Sequence, residues 1–170
     1  MTTPPQIESA RGLLLEELAR LLTIEETLAR LVLPELLLEV ADDGLATALR
    51  SHLDETRGHV GRVKEAFLAL GAVPAGRPAL GLDGLRTEHK TLAPQVVPGV
   101  PPVVHCAAAM GTEHYEIDAY EVAVRLADAL GAEDVGGLLR ANLEDEVAAL
   151  AELGRQADRL ARQAVEERTV

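Results

Sequence analysis

The chain has 170 residues and a mass of 18.1 kDa, enough for one domain with a proper core. Its 28 Asp and Glu against 16 Lys and Arg leave a formal net charge of −12, which excludes a phosphate-tracking nucleic-acid surface and disfavours docking on an anionic membrane. Aromatic residues make up 2%, too few for base-stacking platforms or a β-sandwich, whereas abundant Leu, Ala, Glu and Arg are the composition of helix bundles.

The first helical stretch runs from Ile7 to Val40, with Leu14, Leu18, Leu21, Leu22, Leu28, Val32 and Leu36 recurring mostly at steps of three and four. Pro34 interrupts it and predicts a kink or two abutting pieces. Asp42-Asp43-Gly44 supplies a break and an N-cap for a second helix over Leu45 to Leu70, which Gly71 terminates. Over residues 72–101 Gly and Pro recur, including Pro98, Gly99 and Pro101, and one short helix is expected near Asp83 to Leu92. A connection this long either has a task or crosses the whole fold. The third helix is expected from Pro102 to Gly131, and the fourth from Glu133 to Val165, followed by a polar tail.

Two hairpins of long helices joined by a long crossover describe an all-α, ferritin-like four-helix bundle, with a single domain over residues 1–170. Cys106 is the one cysteine, which excludes a disulfide framework and a Cys-rich zinc site. Residues Met1 to Gln6 carry no basic leader pattern, and no apolar run reaches the roughly 18 residues of a membrane span. A cytoplasmic protein that binds neither nucleic acid nor membrane is therefore expected. A Gly-x-Ser-x-Gly elbow, a phosphate loop and a dinucleotide fingerprint are all missing from the sequence.

Function is best read from the acids on inward rows. In the fourth helix Leu139, Leu143, Glu146, Leu150 and Leu153 share a face, while Glu144 and Asp145 read as surface acids. In the third, Met110, Glu113, Ile117, Tyr120 and Val124 align, with Glu116 beside them. In the first, Leu15, Leu18, Leu22, Glu26, Ala29 and Leu33 form a row, with Glu25 on the row next to it. In the second, His52, Glu55 and His59 stack together. Buried carboxylates need protons, cations or metal ions, and Arg30 and Arg62 are the best-placed cations among few. Oxygen ligands with an occasional imidazole suit iron or manganese, and zinc as well.

Ile24-Glu25-Glu26-Thr27-Leu28 followed by Leu33-Pro34, His52-Leu53-Asp54-Glu55-Thr56, Glu113-His114-Tyr115-Glu116-Ile117 with Tyr120, and Leu143-Glu144-Asp145-Glu146 together resemble the YciE/YciF family of the ferritin-like superfamily. The resemblance spans roughly residues 10–155 and implies a stress-associated bundle, commonly a homodimer, with a dinuclear carboxylate centre of iron or manganese. It carries Glu26, Glu55, Glu113, Glu116 and Glu146 over as inward acids, and Glu88 as an acid of the middle helix. Ferritin-like sites use Glu-x-x-His on two helices. Here the second helix offers Glu55 and His59 at i,i+4 instead, and Ala149 stands three residues after Glu146. The expected metal ligands are thus Glu26, Glu55, His59, Glu113, Glu116 and Glu146, holding two metal ions per chain for oxidation or for handling iron and peroxide. Tyr120 reads as a core aromatic with a hydrogen-bonded hydroxyl. The alternative is a metal-free structural bundle that pairs through a leucine face such as Leu36-Leu37-Leu38.

Overall fold

The computed structural model describes residues 6–97, 100 and 102–166. Met1 to Pro5 of the leader reading, Pro98, Gly99 and Pro101 of the crossover, and the tail after Glu166 lie outside the described residues.

Ser9 starts α1 (Ala10–Thr27) by accepting a hydrogen bond from the Gly12 amide at 3.0 Å. A π-helical segment, Leu28–Val32, leads into α2 (Leu33–Glu39), with Pro34 in its first turn. Pro34 has no N–H to return to Arg30, and the adjacent turn widens so that the Leu33 amide bonds to the Leu28 carbonyl. The interruption expected at Pro34 is thus one extra residue inserted just before it. Asp42 caps α3 (Asp43–Ala69) through the Leu45 amide at 2.9 Å. Gly71, at φ 65°, then lets the Ala72 amide close on the Phe67 carbonyl.

The crossover is pinned to α1 by the Arg77 amide on the Ala19 carbonyl and carries α4 (Leu80–Leu92), which buries Leu82. It continues into a short 3-10 turn, Ala93–Gln95. The last two helices are α5 (Val103–Ala129) and α6 (Glu133–Glu166), with Gly131 at φ 66° between them. No strand occurs among the described residues. None of their helices is long and apolar enough to cross a membrane.

α1 packs on α3, α3 on α6, α6 on α5 and α5 on α1, a closed ring in which α4 covers α5. Contacts such as Arg11 to Leu70, Gly44 to Gln156 and Asp128 to Arg140 make each of these neighbouring pairs within the hairpins and across α3 and α6 antiparallel. Because α3 ends at one end of the bundle and α5 starts at the other, the chain has to traverse its length between them. This is the ferritin-like connectivity. The core divides in two. One apolar half gathers Leu14, Leu18, Leu21, Phe67, Ala123 and Leu139, the other Leu28, Leu36, Leu45, Leu49, Leu153 and Leu160. Between them lies a buried polar layer: Glu25, His52, Thr56, His59, Thr112, Glu113, Glu116, Asn142 and Glu146.

Candidate metal centre

Each bundle helix contributes to the polar layer, α1 from its last turn and the others from their interior. α1 supplies Glu25, α3 His52 and His59, α5 Glu113 and Glu116, and α6 Glu146. The residues group into two lobes, His52–Glu113–Glu116–Glu146 and Glu25–His59–Glu146, each with its donor atoms within 4.8 Å of one another. Glu146 belongs to both lobes.

Within the lobes, His52 Nε2 lies 3.1 Å from Glu113 Oε1 and His59 Nδ1 lies 2.8 Å from Glu146 Oε1, yet neither pair is aligned as a hydrogen bond. His59 Nδ1 is also 3.4 Å from Glu25 Oε1. Both oxygens of Glu116 and of Glu146, one each on Glu25 and Glu113, both nitrogens of His52 and Nδ1 of His59 are buried without a hydrogen-bond partner. Leaving one such group unsatisfied costs about 1–3 kcal/mol, and more for a charged group. No Lys or Arg among the described residues pairs with these four acids.

The electrostatics follow from burial. Desolvation raises Glu116 well above the carboxylate range, with Glu146, Glu25 and Glu113 adding repulsion. Burial likewise raises Glu25 and lifts Glu146 to about 7, although His59 opposes both shifts. Burial also works against charge on His59, but Glu146 and Glu25 outweigh it and push its pKa up to about 10. His52 is raised for the same reason, by Glu113 and Glu55. The cluster therefore attracts positive charge, whether protons or metal ions.

An outer network fixes the orientation of these groups. The Tyr120 hydroxyl donates to Glu25 and accepts from Asn142 Nδ2 at 2.8 Å. Arg62 donates to both Asn142 and Asp145. Asp145 Oδ2 lies 3.2 Å from His59 Nε2. A carboxylate only accepts, so Nε2 carries a proton, and Nδ1 is the ring atom left facing Glu25 and Glu146. Tyr120 is fully buried, a core aromatic with its hydroxyl paired, as its place in the row suggests.

The structure brings four of the six expected ligands together: His59, Glu113, Glu116 and Glu146. It places Glu26 outside the layer, with its carboxylate on Lys64 at 2.8 Å and Arg30 at 3.6 Å. Its neighbour Glu25 points inward instead. The row drawn back from Leu33 selects Glu26, but the π segment takes up one residue, and the row drawn back from Leu28 (Leu21, Leu18, Leu14) selects Glu25. Glu55 sits half-exposed at the rim, 3.8 Å from His52 Nδ1, and that contact lowers its pKa.

His52, stacked with Glu55 and His59 in the sequence but outside the expected ligand set, is buried inside one lobe. Its signal was the seven-residue spacing to His59, which puts both on one face. Asp145, read as a surface acid, is the partner of His59, because the flank beside Glu146 faces α3. Arg62 serves this outer network, whereas Arg30 remains exposed. Glu88 and His114 are also exposed.

Two divalent cations would balance four carboxylates, and the donors that lack partners are those such ions require. The residues therefore fit a dinuclear group with Glu146 between its halves. They would hold it with Glu113, Glu116 and His52 on one side and Glu25 and His59 on the other.

A family model described as a domain of unknown function, DUF892, matches residues 9–166. Protein YciF of Escherichia coli (strain K12) is 29% identical over 126 residues, covering 73% of this chain and 75% of that protein. Among solved structures, YcfI from Rhodopseudomonas palustris superposes with a TM-score of 0.85 at 30% identity, over 90% of this chain and 98% of that one. The E. coli stress protein YciF superposes with a TM-score of 0.84 at 24% identity, over 91% and 98%, and supports the fold.

Proposed function

This chain belongs to the DUF892 family of YciF-like proteins, and on that premise we propose that it is a dinuclear metal protein of the ferritin-like type, taking iron or manganese. One observation carries the reading. Buried carboxylate and imidazole atoms without hydrogen-bond partners converge from four helices on two lobes that share Glu146. Such a group, when bound, supplies electron transfer to dioxygen or peroxide. The chain's own residues hold and shield it. Glu146, Glu113, Glu116 and Glu25 provide hard oxygen donors, and His52 and His59 provide the nitrogens. Asp145 sets the tautomer of His59, and Tyr120 donates to one oxygen of Glu25 and leaves the other without a partner. The apolar halves above and below exclude bulk water. YciF is described as a stress protein, and a role for this chain in handling iron and peroxide under stress is consistent with that.

The deciding experiment is elemental analysis of untagged protein prepared without chelator, repeated after anaerobic Fe²⁺ or Mn²⁺ loading and washing. About two ions per chain are expected, as in two-metal sites generally. A chain that retains none overturns the reading. That outcome would favour a metal-free bundle pairing through its surface, for which Leu38, 90% exposed beside buried Leu36, is the best-placed contact. Size measurement of wild type against Leu38→Glu would then decide whether the chain forms a homodimer there.

A further inference from the structure

Three residues that the interior centre does not use meet where α2, α4 and α5 converge. They are Glu39, the last residue of α2, His89 near the end of α4, and His105 in the first turn of α5. The two imidazoles face each other edge to face, with His89 Nε2 3.0 Å from His105 Nδ1 and the rings inclined at 66°. Glu39 Oε2 lies 3.9 Å from the first of these nitrogens and 3.8 Å from the second. Ligand atoms on a tetrahedral ion with bonds of about 2.0–2.1 Å stand about 3.3–3.4 Å apart. The nitrogens are therefore already near ligand spacing, and the carboxylate has to move by only about 0.5 Å. Glu39 is half-exposed and free to make that move, whereas both imidazole side chains are mostly buried, at 14% and 12% exposure.

The surrounding charges single out Glu39. Glu35, one turn earlier, faces Lys90 at 3.5 Å and Arg86 at 3.9 Å. Among the described residues, the ion contacts of Glu39 are with the two imidazoles alone. Two imidazoles and one carboxylate select a first-row transition metal over magnesium or calcium. Location adds a role. Glu39 and His89 line the outer part of a groove between α2, α4 and α5, which passes Leu33 and Thr112 and reaches Glu113 of the interior centre.

We propose that Glu39, His89 and His105 form a mononuclear site for a divalent transition metal at the mouth of this groove, from which the interior centre is filled. The filling role rests on the interior cluster's being a metal centre; the outer site does not.

The test is Co²⁺ binding by the full chain, with content measured by elemental analysis and coordination read from visible absorption. Glu113→Gln/Glu146→Gln disables the interior, and that variant is expected to keep about one Co²⁺ with the spectrum of a nitrogen-ligated ion. Adding His89→Asn and His105→Asn abolishes it. An interior double variant that is fully helical by circular dichroism yet binds no Co²⁺ overturns the outer site. Retention of the ion without His89 and His105 also overturns it.

In a chain with its interior intact, His89→Asn/His105→Asn should slow interior filling at limiting Co²⁺ by about tenfold or more without lowering the final interior content. An unchanged rate overturns the filling role. Wild type that binds a single Co²⁺, lost with His89 and His105 but not with Glu146→Gln, upholds the outer site and overturns the interior reading, so the two failures are distinguishable.

Discussion

Glu146 in α6 and Glu25 in α1 reach the same buried layer from helices of different regularity. α6 runs unbroken from Glu133 to Glu166, so Leu139, Asn142, Glu146, Ala149 and Leu153 stay on one buried face, with Leu143 and Leu150 half-buried at its edge, and the acid arrives inside. α1 runs into the π segment, where one turn takes up an extra residue. Leu33 and Leu36 beyond it are buried, and so are Leu14, Leu18 and Leu21 before it, but a regular 3.6-residue period drawn from Leu14 through Leu28 falls on Val32 and leaves Leu33 off the row. The comparison shows that an acid's side of a helix is set by the backbone between it and its anchors. Glu25 and Glu26 are adjacent in sequence. One lies in the core and the other pairs with Lys64 at the surface.

The most severe test of this contrast is to insert one alanine after Ala29, which turns α2 by about 100° against α1. Leu33 and Leu36 would lose their seats, and at about 1.5–3 kcal/mol per buried leucine the loss of unfolding free energy in urea should be about 3–6 kcal/mol. Deleting Ala29 is the control, because it removes the extra residue and leaves Leu33 and Leu36 on the buried row of a regular helix. A mild effect of the insertion, or a large effect of the deletion, would show that the π segment does not set the phase.

Next in size is Glu146→Gln, which removes the acid common to both lobes. Metal affinity should fall by about a hundredfold or more at both positions, so that elemental analysis finds neither ion, while Glu144→Gln on the same turn changes nothing. One ion remaining would mean that the lobes do not share Glu146.

Glu25→Gln against Glu26→Gln sharpens the contrast at a single peptide bond. The first should weaken one lobe by about tenfold to a hundredfold. The second should leave metal content unchanged and cost at most about 1 kcal/mol, through its partly exposed pair with Lys64. Equal effects on metal content would return the helix to a regular phase.

The smallest expected effect is a pH slope. In chelator-stripped protein Glu146 titrates at about 7 against an ordinary 4.5, and His59 at about 10 against 6.5. Both are raised, so the folded chain binds more protons than the unfolded chain across each window. The Glu146 contribution is fully present below 4.5 and lost as pH rises through 7, and the His59 contribution is fully present below 6.5 and lost as pH rises through 10. The urea midpoint should therefore drift down with rising pH over this range. Metal-loaded protein, in which ions replace those protons, should give a flatter profile. A midpoint that rises with pH in the stripped chain would contradict the assigned environment.

Much of the bundle was legible from one sequence because its signals are local. Asp42 and the glycines at 71 and 131 mark helix ends through the hydrogen bonds of single turns. In α6 Leu139, Glu146 and Leu153 mark the buried face through regular period, although Leu143 and Leu150 of the same row are only half-buried and Asn142 and Ala149 take their places inside. In α5 the reading was coarser. Its buried face runs through Cys106, Ala109, Ala119, Ala123 and Ala127, small residues that carry little hydrophobic contrast, with Glu113 and Glu116 among them. Large apolar side chains drew the row to one side, towards Met110 and Ile117, which are only half-buried. The outer cluster had no sequence signal. Glu39, His89 and His105 lie far apart in the chain, and their meeting depends on how the crossover lays α4 against α5.

The sequence by itself determined that this chain is an acidic all-α bundle with a long crossover and carboxylates at the middle of its helices. Helical period, capping and breaking are properties of short stretches, and each helix carries its own. Tertiary structure alone decided that Glu25 rather than Glu26 enters the core, that Asp145 of α6 holds His59 of α3, and that Glu146 stands between two lobes. Those outcomes depend on the phase of one helix relative to another. That phase is set by close packing across the bundle and by a one-residue insertion in the backbone, and neither is written in any single helix.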